Sequence, residues 1–302
     1  MPTFSIIIPV HNDWTALDSC LDSVMQQSAG PNIEVIVIDD GSDDAAPEKI
    51  RQWGQSLPLT LIRQAHGGIS VARNRGIAAS KGSSLLFVDA DCRLQTNSLA
   101  ALASTMNGLP QHNYFQLRLM GDCSGLMGRS EHLRLLTLQD QLLQGNGCIR
   151  YLNTAGFAMR RSSVPNGRGL FDPEALRAED TLLLADLMER GELPFFVADA
   201  SVQHEISRSL LRCLGKDIRS AFLEGGTYAK IAARGIRIRM NQRERWNMLG
   251  CMWRESRQAS IGRLACLVLV LRQALSRMTS LVYRVLHGKT AARRTNAATI
   301  NV

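Results

Sequence analysis

Residues 33–44 read IEVIVIDDGSDD: a run of Ile and Val that ends abruptly in acid and a Gly-Ser turn. The run is too short for a helix and has the composition of a strand buried on both faces. The same grammar recurs outward from it. Phe4–Val10 leads into Pro9-Val10-His11-Asn12, Leu59–Ile62 forms a shorter run, and Leu85–Val88 leads into Asp89-Ala90-Asp91. Between the first two runs, Trp14, Leu17, Leu21 and Val24 recur at helical spacing. Residues 69–79 read as another helix, with Gly67 and Gly68 ahead of it. Strand–helix alternation with short connections predicts an α/β fold with a doubly wound sheet. Ligands of such sheets gather beyond the carboxyl ends of the strands.

Three segments follow from this pattern. Residues 1–106 carry the strand–helix alternation. Residues 107–204 open at Asn107-Gly108-Leu109-Pro110 and contain turn clusters at Gly145-Asn146-Gly147 and Pro165-Asn166-Gly167. A helix is expected from Asp180 to about Arg190, then a strand at Phe195–Ala198. Residues 205–302 read as helices. There Leu264, Leu267, Val268, Leu271, Leu275, Met278, Val282 and Val285 share one stripe, and the last fifteen residues look frayed and polar.

The net charge of +8 hides an asymmetry. From Glu205 onward there are 19 basic and 5 acidic residues, or +14; the first 204 hold 16 and 22, or −6. A basic block of this kind suits phosphates of nucleic acid or of an anionic membrane, with a solvated helical surface as the plain alternative. Seven cysteines without a CxxC pair fit neither a disulfide framework nor a zinc ribbon, and point to a reducing compartment. The start MPTFSIIIPVHND lacks the features of a signal peptide. The longest apolar run, Leu264–Leu271, would cover ~12 Å of a ~30 Å hydrocarbon layer and is not expected to span by itself.

Polar residues crowd the strand ends. If the chain stays extended, Asp89 and Asp91 point the same way and can aim at one Mg²⁺ or Mn²⁺ on a diphosphate. A D-x-D tripeptide arises by chance roughly 0.8 times in such a chain, so its place after a buried strand is what gives it weight. The plain reading of Asp39–Asp44 and of Asp89–Asp91 is a turn and helix cap. For Arg73 and Arg75 solvent is the simpler surrounding. Glu179-Asp180 opens a helix, where acid favours the dipole; a general base for a hydroxyl nucleophile is the functional alternative. His204 is open between metal ligand and satisfied imidazole. Gly288-Lys289-Thr290 lacks the P-loop glycine, Tyr283 standing in its place, and no GxGxxG follows the first strand. P-loop NTPases and ordinary dinucleotide enzymes are thereby disfavoured.

The ordered set FSIIIPVHN, VIVIDDGSDD, GGISVARNRGIAASKG, LLFVDADC, AGFAMRRSSV and GLFDPEALRAEDTLLLADLMERG, with the late His204, resembles the family 2 inverting glycosyltransferases over residues 3–204. The resemblance implies the GT-A fold, a Rossmann-like mixed sheet flanked by helices, here with a C-terminal helical extension. It implies Pro9 and Asn12 lining a nucleotide pocket, and Asp40 with Asp39 on the uracil or ribose of a UDP-sugar. It further implies Arg73 on base or diphosphate, Asp89 on ribose or sugar, and Asp91 with His204 at a Mg²⁺ or Mn²⁺ ion. Gly156 and Phe157 would shape the acceptor pocket, and Asp180 would be the base, supported by Glu179. The expected acceptor is a saccharide or lipid-linked hydroxyl in polysaccharide or cell-surface glycan synthesis. The expected location is cytoplasmic, peripheral on the inner face of the plasma membrane, without nucleic acid. Gln242-Arg-Glu-Arg245-Trp246 matches the QxxRW pattern of processive members such as cellulose and hyaluronan synthases, although Trp246, Leu249 and Trp253 also share a helical face suited to packing. Two competing readings are a catalytically silent domain with a nucleic-acid- or partner-binding tail, and a nucleotidyltransferase.

Overall fold

A computed structural model of the chain describes residues 3–27, 32–165, 169–205, 209–258 and 260–298, with the backbone alone for 283–298. The expected turn at Pro165–Gly167 and the stripe residue Val285 fall outside what is described. The elements run β1 (Phe4–Val10), α1 (Trp14–Met25), β2 (Ile33–Asp40), α2 (Glu48–Gln52), β3 (Leu59–Gln64), α3 (Ile69–Ala79), β4 (Ser84–Phe87), β5 (Cys92–Leu94) and α4 (Ser98–Gly108). They continue with β6 (Tyr114–Gly121), α5 (Leu126–Leu142), β7 (Phe157–Arg160), α6 (Glu179–Glu189), β8 (Phe195–His204), α7 (Leu210–Ala233), α8 (Gln242–Glu255) and α9 (Arg263–Ala298).

One eight-stranded sheet has the order β3-β2-β1-β4-β7-β6-β8-β5. β1 to β4 are parallel, β7 runs antiparallel between β4 and β6, and β8 is parallel to β6. Strands from both sides of residue 106 pair with one another, so the two segments share one sheet. Both faces are covered. Ile6 and Ile8 point into one apolar layer with Leu17, Leu21, Val35 and Leu86, while Ile7 packs on the other face with Phe87, Phe157 and Leu183. This two-sided burial is why the central strands show no polar alternation.

Two local features correct the sequence reading. The strand expected to end at Ala198 continues to His204, because three residues bulge out where Leu117 pairs with Val197 but Arg118 pairs with Ser201. And Asp89–Asp91 is a turn, not an extended segment, closed by the Cys92 N–H donating to the Asp89 carbonyl at 3.0 Å.

The C-terminal helices pack on α5 and on one another. The apolar stripe of α9 faces outward in large part; among the described residues of the helix Ala265, Cys266, Val268 and Leu269 are buried. α9 continues to Ala298, where fraying was expected, and its Arg263–Val282 stretch is long and apolar enough to cross a membrane by length and composition, unlike the eight-residue run taken alone. In α8, Asn241 and Glu244 form a reciprocal capping box, so the QxxRW match coincides with a helix start. Met248 and Met252 are buried and Leu249 packs beside them, while Trp253 is half exposed under the Arg263 guanidinium, 3.7 Å from its ring centroid, and Trp246 lies exposed.

Gly82 approaches β1 closely. Its N–H donates to Ser5 Oγ at 2.8 Å and Glu34 Oε1 at 3.0 Å, and a Cβ there would lie 2.7 Å from the Ser5 backbone nitrogen. Backbone cannot yield as a side chain can, so Gly82→Ala is expected to cost about 1–3 kcal/mol in urea unfolding. An unchanged midpoint would refute that contact.

Candidate active site

Arg73 sits on the buried face of α3, 1% exposed, between two carboxylates. Its Nη2 donates to Asp89 Oδ1 at 2.7 Å and its Nη1 to Glu179 Oε1 at 2.5 Å. The Phe171 ring lies beneath the guanidinium, 5.5 Å from centroid to Cζ. Burial opposes the charge on Arg73, but Asp89 and Glu179 outweigh it and raise its pKa. The solvent reading of Arg73 is thus corrected; Arg75 is the one that is exposed. So is the expectation that Arg73 itself meets base or diphosphate: its two terminal nitrogens are engaged and it is shut from solvent.

Asp180 follows Glu179 in the first turn of α6 and is half-buried. The turn begins at Ala178, held at φ 59, a left-handed conformation uncommon for alanine. Burial, then the adjacent Glu179, raise the Asp180 pKa to about 7, against opposition from Arg73 and the Thr181 hydrogen bonds. A carboxyl poised near neutrality is suited to taking a proton from a hydroxyl. Tyr151 and Tyr228 feel the Asp180 charge; burial first, with that charge adding, pushes both phenols up to about 12, so they remain hydrogen-bond donors.

The bulged β8 carries His204 to the end of the sheet, opposite Cys92 of β5. His204 Nε2 lies 3.0 Å from Asp91 Oδ2. Burial opposes protonation of His204, but the hydrogen bond and charge of Asp91 outweigh it and raise the pKa, with Glu131 adding. Two donors 3.0 Å apart have the spacing of adjacent ligands at about 2.1 Å from one Mg²⁺-sized cation. The carboxylate–imidazole pair therefore fits a divalent ion. Cys92 Sγ is close to both. However, burial, then the charges of Asp91 and Asp89, push its thiol well up, and a protonated thiol is a poor ligand. Asp89 turns its carboxylate to Arg73, away from the Asp91–His204 pair that extended geometry would have let it join.

At the ends of β1 and β2, Asn12 adopts φ 57 and clasps Asp43: its Nδ2 donates to Oδ2 at 2.9 Å and its Oδ1 accepts the Asp43 N–H at 2.7 Å. Pro9 is buried within β1. Asp39 Oδ1 accepts the Ser42 N–H. Asp40 is buried: Gln64 Nε2 and the Gly67 N–H donate to Oδ1, the Gly68 N–H donates to Oδ2, and His66 lies 3.0 Å from Oδ2. Asp40 thus builds the start of α3, and the expectation that it reaches a nucleobase directly is not met. Exposed at this mouth instead are His11 and His66, stacked at 4.5 Å, which nothing in the sequence singled out.

Gly156 and Phe157 also depart from expectation. Phe157 is fully buried among Phe87 and Tyr114, because β7 is an internal strand. Gly156 is buried too, and a Cβ there would lie 2.8 Å from Leu119 Cδ2. Neither faces an acceptor.

A mixed sheet of this order, with acidic turns at its carboxyl ends and helices on both faces, has the GT-A fold. The model of glycosyl transferase family 2 matches residues 5–166, more than half of the chain, and the chain belongs to that family. It is 37% identical over 92 residues to the uncharacterized glycosyltransferase EpsJ of Bacillus subtilis, covering 30% of this chain and 26% of that one. With the glycosyltransferase AglE of Haloferax volcanii it shares 36% identity over 111 residues, 36% of each chain. The matched stretch thus spans about a quarter to a third of these relatives. Among solved structures, the mannosyltransferase PcManGT of Pyrobaculum calidifontis, in complex with GDP-Man and Mn²⁺, superposes with a TM-score of 0.61 at 19% identity, over 96% of this chain and 80% of that one. S. aureus TarS 1–349 in complex with UDP gives 0.55 at 18% identity, over 93% and 91%.

Removing the central cation leaves the buried Glu179 carboxylate and the partly exposed Asp89 carboxylate without their shared partner. Arg73→Met is expected to cost about 3–5 kcal/mol in urea unfolding. Retention of wild-type stability would mean that the two ion pairs carry no net weight.

Proposed function

We propose that the protein transfers a sugar, with inversion, from a nucleoside-diphosphate donor to a hydroxyl of a saccharide or lipid-linked acceptor. One observation carries the reading. Arg73 ties the turn at Asp89, two residues before Asp91, to Glu179, next to Asp180, a carboxyl with a pKa near 7; this linkage supports a donor held at Asp91 with Asp180 as the base.

Asp180 accepts the hydroxyl proton as the acceptor oxygen forms its bond to the anomeric carbon. The bond from that carbon to the diphosphate oxygen breaks, and the nucleoside diphosphate leaves with the electron pair. Glu179 holds Arg73 and raises the proton affinity of Asp180. Tyr151 and Tyr228 offer neutral hydroxyls to the acceptor side. Asp91 and His204 would hold a Mg²⁺ or Mn²⁺ ion, which supplies positive charge to the departing diphosphate. UDP is the proposed nucleotide, in keeping with the donor-side residues and with the UDP complex of TarS; polysaccharide or surface-glycan synthesis at the cytoplasmic side of a membrane is the proposed setting.

Calorimetric titration with UDP, GDP and dTDP, with and without Mn²⁺, tests the donor site. Mn²⁺-dependent binding of UDP that is lost in Asp91→Asn is the expected result; binding that ignores both Mn²⁺ and Asp91 would remove the pair from the donor site. Asp180→Asn should leave UDP affinity intact while transfer falls by about 10²–10⁴-fold. Because the deprotonated base is the active form, kcat/KM should rise with pH and level off above about 7. A profile flat from pH 5 to 9 would assign the base elsewhere.

A further inference from the structure

α9 is gripped on one side only. Arg272 projects from its inward face and ion-pairs with Asp217 of α7, Nε to Oδ2 at 2.7 Å, and with Glu131 of α5 at 3.8 Å. On the opposite side Leu264, Leu267, Val270, Leu271, Met278, Leu281 and Val282 follow one another at helical spacing. They lie between 42% and 64% exposed. The stripe runs over 19 residues, Leu264 to Val282, about 27 Å of helix from first to last. α7, packed alongside, shows the same design: Leu211, Ile218 and Phe222 are exposed along one face, with Arg212, Lys216 and Arg219 exposed among them. Apolar stripes of this extent are not ordinary surface.

We infer that the outward stripes of α7 and α9 seat the protein on a bilayer rich in anionic lipid, lying in the headgroup–acyl boundary without crossing it. Charge selects this occupant. The chain from Glu205 onward carries 19 basic and 5 acidic residues, and basic side chains flank both stripes. Leucine, methionine and phenylalanine enter the acyl boundary while arginine and lysine stay at the phosphates. A second copy of the chain is a poorer match, since a two-fold contact would set these basic rows against each other. Duplex nucleic acid offers phosphates but nothing for the apolar stripes. Crossing is disfavoured by Arg272: to span, α9 would have to leave α7 and α5, break both ion pairs and carry Arg272 and Arg277 into hydrocarbon. The inference does not depend on which nucleotide or acceptor the active site takes.

Flotation of the full chain with phosphatidylcholine vesicles, with and without about 30% phosphatidylglycerol, tests it. The wild type should float with the anionic vesicles, bind neutral ones about tenfold less or weaker still, and come off in alkaline carbonate. L267E/L271E alters two exposed positions and should unfold at the wild-type temperature while losing flotation; R212Q/K216Q/R219Q should lose the preference for phosphatidylglycerol. Flotation unchanged in L267E/L271E, or equal on both vesicles, would overturn the inference. So would resistance to carbonate, which means a spanning helix. A dimer in light scattering that L267E/L271E dissociates would assign the face to a second copy, and tighter binding to duplex DNA than to anionic vesicles would assign it to nucleic acid. UDP binding by L267E/L271E, measured in parallel, separates failure of this surface from failure of the donor site.

Discussion

The site depends on a buried cation held between two anions from distant parts of the chain. Arg73 reaches Asp89, 16 residues away, and Glu179, 106 residues away. A guanidinium withdrawn from water is tolerable only with such partners, and the buried Glu179 carboxylate is tolerable only with it. The triad therefore fixes three elements at once: the start of α3, the turn after β4 and the first turn of α6. It also sets the chemistry next door. Asp180 feels burial and the Glu179 charge on one side and Arg73 on the other, and its proton affinity is the balance.

A second buried network performs a comparable task for the C-terminal helices. Glu131 on α5 accepts from Arg134 and lies 3.8 Å from Arg272 of α9. Its pKa falls to about 2, because Arg134 above all overcomes the cost of burial. The same carboxylate supports the charge on His204. One residue thus answers both to the helical extension and to the pair of groups that fits a metal, so the extension is no appendage to the catalytic domain.

Much of this was legible in the sequence, for definable reasons. The runs of β1, β2 and β4 could be read as strands because they are short and continuously apolar, as strands buried on both faces are; β3, at the sheet edge, gave a weaker signal. The polar strand ends pointed to candidate residues, and the structure pairs Asp91 with His204 and links Asp89 to Glu179 through Arg73. What spacing could not convey was which way a side chain turns. Asp89 and Asp91 are two apart, but the chain turns between them and they part company, one to Arg73 and one to His204. Asp40 looked like a ligand contact and is spent on the Gly67–Gly68 backbone. Phe157 looked like a pocket wall and is core, since nothing local says that β7 is an inner strand. The stripe on α9 was visible as a period, but its facing was not: a helix with apolar residues on both sides does not declare which side the protein keeps.

The strand order has a geometric consequence. β4 and β5 are consecutive in the chain yet stand four places apart in the sheet. Laid flat, four strand spacings need about 19 Å. The five Cα steps from Phe87 to Cys92 stretch to about 17 Å at most. The closed turn at Asp89 shortens that reach further, so the sheet must curl and cannot lie flat. Its curvature is then tied to the length of that one turn. Slack inserted there would let the sheet flatten, and would carry Asp91 away from His204 as it did so.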